Sequence, residues 1–135
     1  MISLTAQYAL RAIMHLARAQ RWCTADEVAA VARIPPAYVA KVLRALASAG
    51  IVQSQRGLNG GFRFDRDAAR ITVYDIVHAI DHHDAFGVTV EQTESGADAS
   101  ERLLADIRDG VDRRLRRTAV SELLAAREPV LATMA

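Results

Sequence analysis

The sequence predicts a mainly α-helical fold carrying one small β-hairpin, and three observations predict it. Between Thr24 and Ala49, apolar residues recur at helical spacing in two short runs, separated by Ile34-Pro35-Pro36. Directly after Gly50 the period changes to alternation and is interrupted by Gly57-Leu58-Asn59-Gly60-Gly61, a hairpin signal. From about Asp98 to Arg117, a long charged run carries a single narrow apolar seam. Two short helices with a tight turn, followed at once by a hairpin, make a winged helix-turn-helix, and the seam adds a long dimerisation helix.

The first helix spans residues 5–19, with Ser3 or Thr5 as N-cap. Ala9, Ala12, Ile13, Leu16 and Ala17 make it apolar around most of its circumference, leaving a narrow polar stripe of Gln7, Arg11, His15 and Arg18. His15 therefore reads as a solvated surface histidine. Trp22 is expected to pack over this helix. Cys23 reads as a small buried residue rather than a sensing thiol, with Arg21 the one cation placed to lower its pKa.

Thr24 caps the next helix, and Glu27 three residues on completes a capping box. Proline stops this helix at Arg33-Ile34-Pro35, because it restricts the residue before it and offers no N–H. Pro36 sits where a helix tolerates proline, and a second helix runs to about Ala49, closed by Gly50. Val39, Val42, Leu43 and Leu46 form its core face. Ala37, Lys41, Arg44 and Ser48 form the opposite face, small and basic, as a helix needs if it is to approach base edges.

Ile51 to Arg56 and Phe62 to Phe64 read as the strands of the wing. Its tip is rich in glycine, so the backbone at Asn59 and Gly60 can come close to a phosphate or enter a groove, with Arg56 and Arg63 flanking it. A polar link, Asp65 to Arg70, leads to a short helix from Thr72 to Ile80 capped by Thr72 with Asp75. Residues 81–101 hold six acids and no Lys or Arg and read as a long loop. His82, His83 and Asp84 within it have metal-type donors, but adjacent histidines point apart, and a solvated loop is preferred to a metal site. In the long helix, Leu103, Leu104, Ile107, Val111 and Leu115 form the seam, and the arginines at 113, 114, 116 and 117 complement its C-terminal dipole. Thr118 is expected to cap a last helix through Leu124, before Glu128-Pro129 breaks the chain. The expected division is 1–80 for the winged helix-turn-helix, 81–101 for an acidic effector-type loop, and 102–135 for the dimerisation and C-terminal helices.

Composition narrows the function classes. No run of eighteen apolar residues exists, Arg11, His15 and Arg18 interrupt any leader-like start, and a single cysteine excludes an internal disulfide. A cytoplasmic location is expected. The net charge of +1 conceals an asymmetry: residues 1–70 carry ten Lys/Arg against four Asp/Glu, residues 71–135 seven against twelve. The basic half is the half with the wing, the footprint of a duplex-binding surface. No phosphate loop, activated nucleophile or carboxylate pair on a rigid scaffold points to an enzyme.

Leu4-Thr5, Tyr8-Ala9-Leu10, Tyr38, Leu46, Ala49-Gly50-Ile51-Val52 and Arg56-Gly57-Leu58-Asn59-Gly60-Gly61-Phe62 together resemble the IscR/NsrR/CymR-type family of winged-helix transcription regulators. The resemblance covers about two thirds of the chain well. It implies a homodimer on a partly palindromic operator in duplex DNA, with an effector that changes affinity and repression as the expected sense. Ala37, Tyr38, Lys41, Arg44, Arg56, Asn59, Gly60 and Arg63 are the expected DNA-binding residues, and the long helix the dimer element. Cluster-binding members of that family place three cysteines in the 81–101 region. This chain has none there, so no iron–sulfur cofactor is expected; a small-molecule effector, with His82, His83 and Asp84 as pocket residues, is expected instead. The competing reading is a winged-helix protein-interaction module with weak or lost DNA binding.

Overall fold

The structure, a computed structural model, describes residues 2–81 and 98–126. Its elements are α1 (Leu4–Ala19), α2 (Ala25–Ala32), α3 (Pro36–Ser48), β1 (Gln53–Gln55), β2 (Gly61–Arg63), α4 (Val73–Asp81), α5 (Ala99–Arg117) and α6 (Val120–Ala125). The fold is the mainly helical one, with a two-stranded antiparallel hairpin, that the sequence predicts. His82, His83 and Asp84 fall outside the described residues.

α1 is the central element. Ser3 caps it, its hydroxyl accepting the Ala6 N–H at 3.0 Å. Ala6, Ala9, Ala12, Ile13, Leu16 and Ala17 are all buried, and the alanines let α2, α3 and α4 approach its axis closely. Around it lie Val28, Val42, Leu43, Leu46, Ile76 and Ile80, all essentially sealed from solvent. Val120 of α6 closes the same core from the C-terminal side, with Leu115, Leu123 and Leu124 half-buried against it.

α3 ends in a Schellman arrangement. Gly50 takes φ +75°, its N–H bonds to Ala47 O, and the Ile51 N–H reaches back to Leu46 O at 3.0 Å. That closure explains one departure from expectation. Ile51 and Val52 are apolar and β-branched, as strand residues are, yet they are buried bend residues rather than strand, because their N–H groups finish α3. β1 therefore begins only at Gln53, and β2 begins one residue early, at Gly61. Pairing runs Gln53 to Arg63, Ser54 to Phe62 and Gln55 to Gly61.

The hairpin has a third member that the sequence did not announce. Cys23 and Phe62 exchange both backbone hydrogen bonds at 2.8 Å, which ties the wing to the segment between α1 and α2. This close approach requires a glycine next door. A Cβ on Gly61 would lie 2.3 Å from Cys23 O, and Gly61 holds φ +142°.

Two caps differ from expectation. Thr24 Oγ1 does accept the Glu27 N–H at 3.1 Å, but the Glu27 carboxylate turns to Arg21 and His15, so only the hydroxyl half of that box forms. At α4 the box is complete: Thr72 Oγ1 accepts from Asp75 N, and Asp75 Oδ2 accepts from Thr72 N. Thr118 does not cap α6. It terminates α5 with its hydroxyl donating to Arg114 O, and Ala119 precedes α6 without a side-chain cap. The reason is a short antiparallel bridge from Thr72 to Ala119, in which Val73 N–H donates to Thr118 O and Val120 N–H donates to Ile71 O, both at 2.8 Å. The bridge holds 118–120 extended.

Candidate nucleic-acid interface

α3 separates its faces as its periodicity requires. Val39, Val42, Leu43 and Leu46 are buried, while Ala37, Tyr38, Lys41, Arg44 and Ser48 are exposed. With Pro36 at its start, α3 opens on a backbone already set at helical φ. The Tyr38 ring sits 6.0 Å from that of Tyr8, tilted by 43°, and the Arg11 guanidinium covers Tyr8 at 5.0 Å. Arg11 also donates to Arg33 O at 3.0 Å, across the turn between α2 and α3. The helix-turn-helix is thus braced from α1, and the half-exposed tyrosine leads the exposed face of α3.

The wing divides its two arginines. Arg56 is exposed just past the end of β1, directly before the glycine turn, with Leu58 and Asn59 exposed at the tip and Gly60 half-buried. Gly60 N–H bonds to Gly57 O, and a Cβ at Gly60 would fall 2.2 Å from Gln55 O, so the turn's shape depends on that glycine. Arg63 is placed differently. Its Nη2 lies 3.7 Å from Asp65 Oδ1, and its Nε is buried without a hydrogen-bond partner. It stands half-buried at the base of the wing rather than beside the tip.

His15 is not the solvated residue its stripe suggested. α1 and α2 are joined by a short link, so the last turns of one face the first turn of the other, and His15 Nε2 meets Glu27 Oε2 at 3.0 Å. Arg21 joins the same carboxylate through Nη1 at 3.2 Å and Nη2 at 2.7 Å. Arg21, then Cys23 and His15, hold the Glu27 carboxyl down to about 2. Burial, with the nearby carboxylate, pushes the Cys23 thiol up to about 11, against the opposing effect of Arg21. The thiol is therefore protonated at neutral pH, as a packing residue's should be. The signal for this cluster was available: a histidine late in one helix and an acid early in the next.

No residue of α5 is fully buried among the described residues. Leu103, Leu104 and Ile107 are 53–60% exposed, Val111 is half-buried, and Leu115 lies half-buried against the chain's own core. Asp98 caps the helix by accepting from the N–H groups of Ser100 and Glu101 and from the Ser100 hydroxyl; that hydroxyl first, then the Glu101 N–H, draws its carboxyl below the usual range. At the other end Arg116 covers the Tyr74 ring at 4.1 Å, and that ring stacks on His78 at 5.4 Å. One of the four C-terminal arginines thus joins α5 to α4 rather than only meeting a dipole. No helix among the described residues is long and apolar enough to cross a membrane.

A family model described as Rrf2, iron-dependent transcriptional regulator, matches residues 2–126. Among curated relatives, a protein of Aquifex aeolicus (strain VF5) named for the helix-turn-helix class of transcriptional regulators is 38% identical over 74 residues, 54% of this chain and 51% of that protein. The chain spans about half the length of the curated relatives it matches. Among solved structures, CymR, the global cysteine regulator of B. subtilis, superposes with a TM-score of 0.76 at 25% identity, covering 95% of this chain and 98% of that one. IscR of T. potens shares the fold with a TM-score of 0.74 at 17% identity, covering 98% and 96%.

Proposed function

This chain belongs to the Rrf2 family of transcriptional regulators, and on that premise we propose that it is a dimeric DNA-binding regulator, a repressor that recognises a partly palindromic operator. The observation that carries this reading is the two-faced α3, whose exposed side offers Ala37, Tyr38, Lys41 and Arg44 while its other side is sealed in the core. α3 enters the major groove, and the wing reaches the neighbouring backbone and minor groove. Leu103, Leu104 and Ile107, an apolar stripe open to solvent on α5, meet their copies in a second subunit. Half-sites then fall about one helical turn apart, ~34 Å.

Sequencing the DNA that co-purifies with the protein, followed by gel shifts on the enriched site, tests the reading. Affinity should fall steeply with salt as phosphate contacts release counterions. A salt-insensitive affinity, or no enriched site, rejects it.

Within the wing, Arg56 is the principal contact, because Arg63 is engaged by Asp65 and partly buried. A narrow minor groove draws in an arginine through its negative potential. Arg56→Ala is expected to weaken DNA binding by about 1–3 kcal/mol and to leave thermal stability unchanged. Arg63→Ala is expected to lower stability as well, since it removes a half-buried side chain. An Arg56→Ala protein with the parent dissociation constant would move the contact elsewhere.

The family's description names iron, and the donors of this chain do not suit an iron–sulfur cluster. Such a cluster takes about four ligands, mostly thiolates. The one thiol here is Cys23, buried and facing Arg21 and Glu27. The effector is accordingly read as a small molecule, with His82, His83 and Asp84 its contacts. Protein purified without oxygen should be colourless and free of stoichiometric acid-labile sulfide while still binding its operator; stoichiometric sulfide lost on Cys23→Ala would overturn this.

A further inference from the structure

Where α1, the link and α2 meet, three different donor atoms converge. His15 Nε2, Cys23 Sγ and a Glu27 carboxylate oxygen lie within 4.8 Å of one another. A tetrahedral zinc ion holds nitrogen and oxygen at about 2.0–2.2 Å and sulfur at about 2.3 Å, which separates its ligands by roughly 3.3–3.7 Å. The His15–Glu27 edge, at 3.0 Å, is already near that value. Closing the sulfur edges takes about an ångström, within reach of side-chain rotation. The site is half-open: His15 and Glu27 side chains are 15% and 29% exposed, whereas Cys23 is buried. Three protein ligands with solvent at the fourth position is an arrangement zinc accepts.

The cluster already contains a cationic group. The Arg21 guanidinium donates to both Glu27 oxygens, and its Nη1 lies 3.5 Å from Cys23 Sγ. It occupies the place of positive charge among the three donors, and its own side chain is 58% exposed, so it can swing outward into water.

We propose that His15, Cys23 and Glu27 form a binding site for a divalent ion of the zinc class, with Arg21 as the displaceable cation that fills the site in the metal-free protein. On binding, the thiol gives its proton to solvent, His15 carries its ring proton on Nδ1 so that Nε2 can ligate, and Arg21 leaves the carboxylate. The soft sulfur and the imidazole select zinc over magnesium or calcium. The backbone of Cys23 is fixed by its two hydrogen bonds to Phe62, so the ion would tie α1 and α2 to the wing strand β2. This site does not depend on the DNA-binding reading.

The test uses the untagged, chelator-treated full chain. Titration with Zn²⁺ followed by calorimetry should give one ion per chain, and Co²⁺ should give a thiolate-to-cobalt charge-transfer band. Cys23→Ser should abolish that band, and Glu27→Gln should weaken Zn²⁺ binding by about tenfold or more. Arg21→Ala should tighten binding by about tenfold, because it removes the competing charge. Circular dichroism of each variant checks folding, and should Cys23→Ser not fold, the cobalt band of the parent and the Arg21→Ala affinity decide the matter. No charge-transfer band in the parent, Mg²⁺ bound as tightly as Zn²⁺, or weaker binding on Arg21→Ala would overturn the assignment.

Discussion

Replacing Ile107 with aspartate is expected to yield a monomer that has lost most of its affinity for DNA. Ile107 lies 53% exposed on α5 beside Leu103 and Leu104, and none of the three is sealed by the chain's own core. The substitution thus costs the isolated subunit little. In the proposed dimer, two-fold symmetry places an aspartate on each side of the same seam. A carboxylate withdrawn from water without a partner costs several kcal/mol per ion, and here two like charges meet. Loss of the second half-site removes the avidity of a bivalent contact, a factor of about 10²–10⁴ in DNA affinity. Sedimentation equilibrium and a gel shift on the enriched operator measure both effects. A dimer that binds DNA like the parent would show that the seam serves the chain itself or another partner.

Gly61→Ala is expected to destabilise the fold by about 2–6 kcal/mol in urea denaturation. Two effects combine. The backbone at φ +142° is strained for any side chain, by about 1–3 kcal/mol. The new methyl would also lie 2.3 Å from Cys23 O, so the two bonds between Cys23 and Phe62 must lengthen or break, at about 0.5–1.5 kcal/mol each. Gly57→Ala is the control. Gly57 holds φ +112° but a Cβ there meets nothing within 4 Å, so only the strain remains, about 1–3 kcal/mol. If the two variants are equally stable, steric contact with Cys23 is not what sets the wing's position.

The helices and the hairpin were legible because their signals are local. The Thr24 hydroxyl cap, the proline break, the apolar spacing of α3 and the glycine after it act within a few residues, and each acts as predicted. The misreadings share the opposite cause. Ile51 and Val52 are β-branched and read as strand, but they are used to finish α3. Thr118 has the residue type of a helix N-cap, yet the bridge to Thr72, distant in the chain, fixes its conformation. His15 is polar and falls on a polar stripe, but the neighbouring helix covers it. The exposed face of α3 followed from periodicity alone. The unequal standing of Arg56 and Arg63 did not, because it depends on Asp65 and on burial at the base of the wing.

The bridge between Thr72 and Ala119 also has a mechanical meaning. It fastens α5 at its C-terminal end, and Arg116 on Tyr74 reinforces the fastening, while the exposed leucines lie toward the other end. Nineteen helical residues make a rod of ~28 Å. A rod clamped at one end acts as a lever arm: a tilt of about 5° at the clamp displaces the far tip by ~2.5 Å. Small rearrangements around α4, whose first residue is itself half of the clamp, are therefore magnified along α5 before they reach Leu103 and Leu104.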